Sequence, residues 1–342
     1  MKIAVDKNSW QVAKDDGNKY IYLYEDESFS DLMKTRLHCM EYHECEFVDI
    51  NTTDYNIDCF KKCKITDKDW DKLPDKIDYK IGIIIPNYNY EHTIDKCLSS
   101  IAKQTYKNYE VIFIDDMSTD KSVYIASNYY DKLSSLKIVK LKQKRYNGGA
   151  RNEAYLYLSD DVDYVYYIDS DDWLYDETAL EKINNKLQNK PDVLFVGMAD
   201  YKNGKTKECF IPDYKDKYDA IKGWSGSCGK VIKKSLATRQ ECLYNEGTLK
   251  EDKNQHCKIC FYMNSFNLLK KPIYVWNREN LKSVTTIRTK NPTWETSTIR
   301  HWADTTEFYL KIKGKDKKID KFMEERLRLT KKEILDGKDR QW

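Results

Sequence analysis

The chain has 342 residues, of which 34% are charged, and its 59 Lys and Arg stand against 56 Asp and Glu for a net charge of +3. That balance argues against a partner held by field alone, nucleic acid included, and no run reaches the roughly 20 apolar residues that a membrane span needs. Ten cysteines without regular spacing read as reduced thiols, and the start lacks a basic-then-apolar leader, so a cytoplasmic protein is expected.

Residues 1–78 read as an N-terminal α/β appendage of unassigned role, with a strand over Tyr20–Tyr24, a helix over Phe29–Tyr42 and a strand over Cys45–Ile50. His38, Cys39, His43, Cys45, Cys59 and Cys63 match no usual zinc spacing and are expected to be buried thiols and surface histidines. The β-branched run Lys80–Ile85 then stops at Pro86-Asn87-Tyr88-Asn89, as a buried strand breaking into a loop should. Ile94, Cys97, Leu98 and Ile101 recur at helical spacing, and a second strand, Glu110–Ile114, runs into Asp115-Asp116-Met117-Ser118. A helix over 119–132, a strand over 136–141, a helix over 148–159 and the strand Tyr164–Ile168 follow. Strand and helix alternate, which predicts a mostly parallel, doubly wound sheet with helices on both faces and ligands outside the carboxyl ends of its strands.

Asp169-Ser170-Asp171-Asp172 crowds three carboxylates at the end of one such strand. Like charges there are costly unless a cation neutralises them. Oxygen ligands suit Mg2+ or Mn2+, which keeps coordination positions for substrate phosphate, so a phosphorylated substrate is implied. Aspartates also fill turns and cap helices, and a helix is expected from Asp176. Three strand tips, Pro86–Asn89, Asp115-Asp116 and Asp169–Asp172, would nevertheless line one crevice, and a capping account leaves that as coincidence.

At this point the chain resembles the family 2 glycosyltransferases of the GT-A fold. The residues that carry the likeness are Ile83–Asn89, then Ser99-Ser100-Ile101 with Gln104-Thr105, then Val111–Asp120, Asn147-Gly148-Gly149-Ala150-Arg151-Asn152 and Asp169–Asp172, five blocks in the family's order. Met117 departs from it, since the family usually has a small residue such as Gly there. The resemblance implies that Pro86, Asn87 and Tyr88 contact the donor nucleotide and that Asp116 accepts a hydrogen bond from a uracil-type ring. It implies further that Gly148 and Gly149 let backbone approach the nucleotide, with Arg151 supplying fixed positive charge beside it. Asp169 is assigned to the ribose side and Asp171 to the metal, with Asp172 able to exchange with it.

Glu251-Asp252 resembles the family's acidic pair at the start of a helix beneath the acceptor, here over Gln255–Phe261. Asp252 would be the general base and Glu251 its neighbour; an acidic first turn that complements the helix dipole is the plainer alternative. Trp224–Val231 resembles the acceptor-side loop, with Trp224, Gly229 and Lys230 as candidate acceptor contacts. In Trp276–Thr285, Arg278 is a candidate diphosphate contact.

After residue 285 two helices are expected, one carrying Trp294, Ile299, Trp302, Phe308 and Leu310 and one carrying Ile319, Phe322, Met323, Leu327 and Leu329. Their lysine-rich faces leave peripheral membrane contact open. The expected organisation is an appendage over 1–78, a GT-A domain over 79–285 and a helical extension over 286–342. The expected activity is metal-dependent, inverting transfer of a sugar from a UDP-sugar to a hydroxyl of a glycan, lipid-linked or other acceptor. The alternatives are a sugar-phosphate nucleotidyltransferase, a non-catalytic nucleotide-sugar or glycan-binding module, and a glycosyltransferase acting on modified DNA.

Overall fold

The computed structural model describes residues 2–5, 46–49, 77–248, 251–280 and 294–336, and the chain divides into two compact units, Met1–Ile77 and Asp78–Trp342. In the first, β1 (Lys2–Val5) and β2 (Glu46–Asp49) pair in parallel, with Lys2 opposite Glu46 and Val5 opposite Asp49. The strand expected over Cys45–Ile50 is β2. The strand expected over Tyr20–Tyr24, the helix over Phe29–Tyr42 and the histidines and cysteines from His38 to Cys63 lie outside the described residues.

The second unit is built on a nine-stranded sheet. β3 (Ile81–Asn87), β4 (Tyr109–Asp115), β5 (Leu136–Lys140) and β6 (Tyr164–Tyr167) are parallel and lie in the order β5-β4-β3-β6. Their connections carry α1 (Ile94–Ala102), α2 (Ser122–Ser127) and α3 (Tyr146–Ala154). The chain continues through β7 (Trp173–Leu174), α4 (Ala179–Lys186), β8 (Val193–Lys202), β9 (Lys205–Phe210), α5 (Lys217–Lys222), β10 (Lys230–Lys233) and α6 (Lys234–Ala237). It ends with α7 (Glu251–Tyr262), β11 (Phe266–Asn277), α8 (Trp294–Ile312) and α9 (Lys317–Asp336). Antiparallel β10 joins β6 to β8, β11 lies parallel to β8, and β7 and β9 are antiparallel additions.

Period-two alternation deals the apolar strands to two cores. Ile81, Ile83, Ile85, Val111, Phe113, Tyr164 and Tyr166 pack with Ile94, Cys97, Leu98 and Ile101 of α1. Ile84, Ile112, Ile114, Val165 and Tyr167 pack on the opposite face with Ala150 of α3, Ile259 of α7, Phe308 and Ile312 of α8, and Ile319 and Met323 of α9. Each fully buried isoleucine of β3 contributes about 1.5–3 kcal/mol. The C-terminal helices therefore contribute Phe308, Tyr309, Ile312, Ile319 and Met323 to this second core, while Ile299 and Leu310, expected on the same stripe, are exposed. Among the described residues, no helix is long and apolar enough to cross a membrane.

Side chains fix the connections. Gln104, 1% exposed, donates to the carbonyls of Ser100 (3.0 Å) and Asp176 (2.7 Å) and accepts from the Leu180 amide (2.9 Å), so it ties α1 to the start of α4. The helix expected over 119–132 is regular only across Ser122–Ser127 and continues as turns. At the amino end of β4, the buried Glu110 carboxylate accepts the Ser159 amide (2.7 Å) and hydroxyl (2.6 Å), with Lys80 3.3 Å away.

Burial pushes the Glu110 pKa up, but Ser159 and the charges of Lys137 and Lys80 outweigh it, and the carboxyl lies below its ordinary 4.5. Such a group stabilises the fold above its unfolded pKa and stops doing so as the pH falls through its folded one. Glu110→Gln is expected to cost about 1.5–3 kcal/mol at neutral pH. In urea unfolding its deficit against the parent should shrink as the pH falls below the ordinary carboxylate value of 4.5 and through the folded-state one.

Candidate functional site

The carboxyl ends of β3, β4 and β6 form one rim, and its first part is a web around Asn87. The Asn87 amide donates to Asp115 Oδ1 and to Ser118 Oγ, both at 3.0 Å, while the Asp116 amide donates to the Asn87 carbonyl at 2.8 Å. Met117 completes the turn at φ +67°, with its side chain exposed. The family's small residue suits this left-handed conformation, which costs a side-chain-bearing residue about 1–2 kcal/mol. Asp116, 3% exposed, accepts the Arg145 amide at Oδ1 (2.7 Å) and the Tyr146 amide at Oδ2 (2.8 Å). The Lys144 ammonium lies 3.2 Å from the same carboxylate and 2.7 Å from the ring centre of the exposed Tyr88. Asp116 thus holds the start of α3 against β4.

The centre of the rim is Arg151 of α3, which is 1% exposed. One of its terminal nitrogens lies 2.7 Å from Asp169 Oδ1, and the other lies 2.9 Å from Glu251 Oε1 and 3.3 Å from Asp252 Oδ1. Its guanidinium also stands over the rings of Tyr244 (5.3 Å) and Tyr167 (5.9 Å). A single buried cation therefore gathers the tip of β6 and the first turn of α7, sites that are far apart in sequence. Burial, then the like charge of Asp252, pushes the Glu251 pKa up, and Arg151 opposes this. Asp252 is more open, with a side chain 37% exposed. Ser227 Oγ hydrogen-bonds its Oδ1, and no described residue hydrogen-bonds its Oδ2.

Gly148 and Gly149, assigned above to the approach of a nucleotide, serve packing here. A Cβ on Gly148 would stand 2.7 Å from the Asn245 carbonyl and 3.1 Å from Glu251 Cγ, and one on Gly149 would stand 2.7 Å from Arg145 Cβ. The missing side chain of Gly148 lets α3 close on the start of α7, which brings Arg151 within reach of Glu251, while that of Gly149 leaves room for the Arg145 side chain.

Within the acidic segment the carboxylates part company. Asp169 turns to Arg151. Asp171, 7% exposed, accepts Asn280 Nδ2 at Oδ2 (2.7 Å) and lines a cavity of about 390 Å³ with Thr93, Lys96, Trp173, Tyr201 and Asn277. Asp172, expected to exchange with Asp171 as a metal ligand, has both oxygens engaged: Oδ2 accepts the Tyr274 hydroxyl and Oδ1 the Asn277 amide (2.8 Å). Tyr274 also accepts the Asp169 amide (3.2 Å), so β11 braces the segment from below. None of the three caps a helix; the turn before α4 is held by Asp176, which accepts the Thr178 amide (3.0 Å) and hydroxyl (2.9 Å).

The acids expected to share one pocket, Asp116, Asp169 and Asp171, thus divide among three sets of partners. Among the described residues no group of three His, Cys, Asp or Glu side chains is placed to hold a metal. Two are enough for a cation completed by phosphate oxygens and water. Asp169 and Asp171 fit that description: each is a hard oxygen donor with one oxygen that accepts no hydrogen bond from another described residue. Burial and then the charge of Asp169 push the Asp171 pKa up to about 6, against the pull of Asn280. A cation would relieve that stress.

The remaining candidates build scaffold. Trp224 packs against Phe210 (5.7 Å) and Trp276 (5.4 Å between ring centres), and a Cβ on Gly229 would stand 3.0 Å from its ring. Lys230 is fully buried and donates to the carbonyls of Ser225 (3.0 Å) and Gly226 (2.6 Å). Arg278 stacks on Trp276 (3.3 Å) and pairs with Asp200 (3.1 Å) instead of pointing to Asp171. The residues that follow it, 281–293, lie outside the described residues. Sequence reasoning missed Ser227, Tyr244, Tyr274 and Lys144. Only Ser227 stood in a quoted motif, and only the contact across 25 residues to Asp252 singles it out.

A family model described as glycosyl transferase family 2 matches residues 82–271. The chain is similar to an Escherichia coli UDP-Glc:alpha-D-GlcNAc-diphosphoundecaprenol beta-1,3-glucosyltransferase, 31% identical over 42% of this chain and 55% of that protein. It is also similar to a Bacillus spizizenii poly(ribitol-phosphate) beta-glucosyltransferase, 35% identical over 33% of this chain and 18% of that protein. Much of each relative's length therefore has no counterpart here. Among solved structures, Staphylococcus aureus TarS 1–349 in complex with UDP-GlcNAc superposes with a TM-score of 0.54 at 22% identity, covering 66% of each chain. A Pyrobaculum calidifontis mannosyltransferase in complex with GDP-Man and Mn2+ gives 0.50 at 16% identity over 75% of this chain and 74% of that one. These structural likenesses are of fold, and the sheet order, two-sided helical cover and strand-end rim are those of the GT-A fold.

Removing the buried cation would leave three carboxylates facing one another. Arg151→Met is expected to cost about 3–5 kcal/mol, read as a fall in denaturation midpoint, with Arg151→Lys losing less.

Proposed function

The chain belongs to glycosyl transferase family 2, and from that premise we propose that it transfers a sugar from a UDP-sugar to a hydroxyl of a glycan, lipid-linked or other acceptor, with inversion. The observation that carries this reading is the Arg151 cluster, which places an open carboxylate, Asp252, beside the strand tip that bears Asp169 and Asp171. A sugar hydroxyl is a poor nucleophile until its proton is removed in the transition state. Asp252 suits that task, because Arg151 and Ser227 hold Oδ1 while no described residue hydrogen-bonds Oδ2, the oxygen this reading assigns to the proton. Glu251, buried against Arg151, anchors the pair.

On the donor side the reading assigns the base to the Pro86–Tyr88 tip and Asp116. Each Asp116 oxygen accepts one backbone amide and has a second lone pair for a ring N–H. Lys144, on the Tyr88 ring and beside Asp116, adds a donor and positive charge at the same place. Mg2+ or Mn2+ held by Asp169 and Asp171 would supply charge neutralisation to the departing diphosphate. UDP-sugar and polymer-phosphate or lipid-diphosphate acceptors in the relatives' names support a donor and acceptor of this kind here.

Release of UDP from UDP-glucose or UDP-N-acetylglucosamine in the presence of Mn2+ tests the assignment. Asp252→Asn is expected to slow release by about 10²–10⁴-fold while leaving the thermal shift induced by UDP unchanged. Asp171→Asn should weaken the Mn2+-dependent part of that shift. Full turnover in Asp252→Asn would remove it as the base.

A further inference from the structure

We propose that Ser227 and Tyr244 form a hydrogen-bond relay that positions Asp252, and that the loop 224–230 exists to deliver it. The proposal rests on Asp252 being the base and adds positioning residues that do not touch the substrate. Ser227 is 2% and Tyr244 3% exposed. The serine oxygen lies 2.7 Å from the Tyr244 hydroxyl and is bonded to Asp252 Oδ1.

The direction of the relay follows from chemistry. An ionised carboxylate only accepts, so the single Ser227 proton goes to Asp252, and the bond between the two hydroxyls has to be donated by Tyr244. Both ends are anchored. The Tyr244 backbone is held by Asn152 of α3, whose Oδ1 accepts its amide and whose Nδ2 donates to its carbonyl, each at 2.9 Å. Its ring packs edge-on against Tyr167 at 5.7 Å. Ser227 is held by its loop, in which Lys230 bonds the two preceding carbonyls and Gly226 and Gly229 close on Trp224. This gives the buried lysine and the glycine-rich turn a purpose that contact with the acceptor does not.

The charged and titratable groups facing Asp252 are Arg151 from α3, with Asp169 beyond it, Glu251 from its own helix, Cys228 from the turn before β10, Lys230 at the start of β10, and Tyr244. Ser227 is the neutral residue bonded directly to Asp252, so deleting its hydroxyl alters the hydrogen bonding of Asp252 without moving a charge.

The test is 13C-carboxyl NMR titration of the full chain, run beside UDP release from UDP-glucose and UDP-N-acetylglucosamine with Mn2+. Ser227→Ala is expected to raise the pH of half-protonation of Asp252 by about one, and Ser227→Thr to restore it. Tyr244→Phe should move it the same way by less, and it carries the test if Ser227→Ala does not fold. The acid limb of UDP release should follow the titration, with kcat lowered and the donor KM unchanged. An Asp252 titration that stays put in a folded Ser227→Ala or Tyr244→Phe protein overturns the relay. A shifted titration in a chain that releases no UDP from either donor upholds the relay and overturns the transferase reading instead.

Discussion

A guanidinium buried to 1% exposure and shared by three carboxylates is the constraint from which the rest of the site follows. Desolvating a charge is expensive, and it persists inside a protein only with partners whose geometry is fixed. Arg151 can therefore be where it is only if β6 delivers Asp169 just past its end, α7 begins at Glu251, and α3 lies close to both. Each condition has a visible cause: an acid follows the strand, the acidic pair opens a helix, and Gly148 lacks the side chain that would hold the two helices apart. Three acids against one base leave negative charge at the rim.

The sheet explains why this rim is open. Its central parallel strands are apolar on both faces and disappear into two cores, so polar residues are displaced to the ends, where backbone amides and carbonyls have run out of ladder partners. Asp115 and Asp116 accept the backbone amides of Ser118, Arg145 and Tyr146 there, and the Asn87 side chain ties Asp115 to Ser118. The same side chains that would recognise a ligand thus finish the strands.

Much of this was legible in the sequence. Isoleucine runs ending in Pro-Asn and Asp-Asp gave the strands, the spacing of Ile94, Cys97, Leu98 and Ile101 gave a helix, and five blocks in order gave the family. What was hidden is direction. Asp171 and Asp172 are adjacent and chemically identical, yet one faces a cavity and the other accepts from Tyr274 and Asn277, residues more than a hundred positions later. Gly148 packs against Asn245 and Glu251 and Lys230 bonds the Ser225 and Gly226 carbonyls, contacts that a motif does not disclose, since it marks that a residue matters without saying what it touches. Ser227 and Tyr244 carried no signal of their own, because a lone hydroxyl gains its meaning only from the neighbour that the fold brings to it.

The brace under the acidic segment sets how the rim moves. Because the Tyr274 hydroxyl takes the Asp169 amide and gives to Asp172, while Asp172 also holds the Asn277 amide, residues 169–172 cannot lift away without breaking bonds to the end of β11. The two segments form one cooperative unit, and their amides should exchange with solvent through a shared opening event. A displacement of the end of β11 is then transmitted to the acids as a change in their support, through Tyr274 and Asn277, which carry no charge themselves at the point of contact.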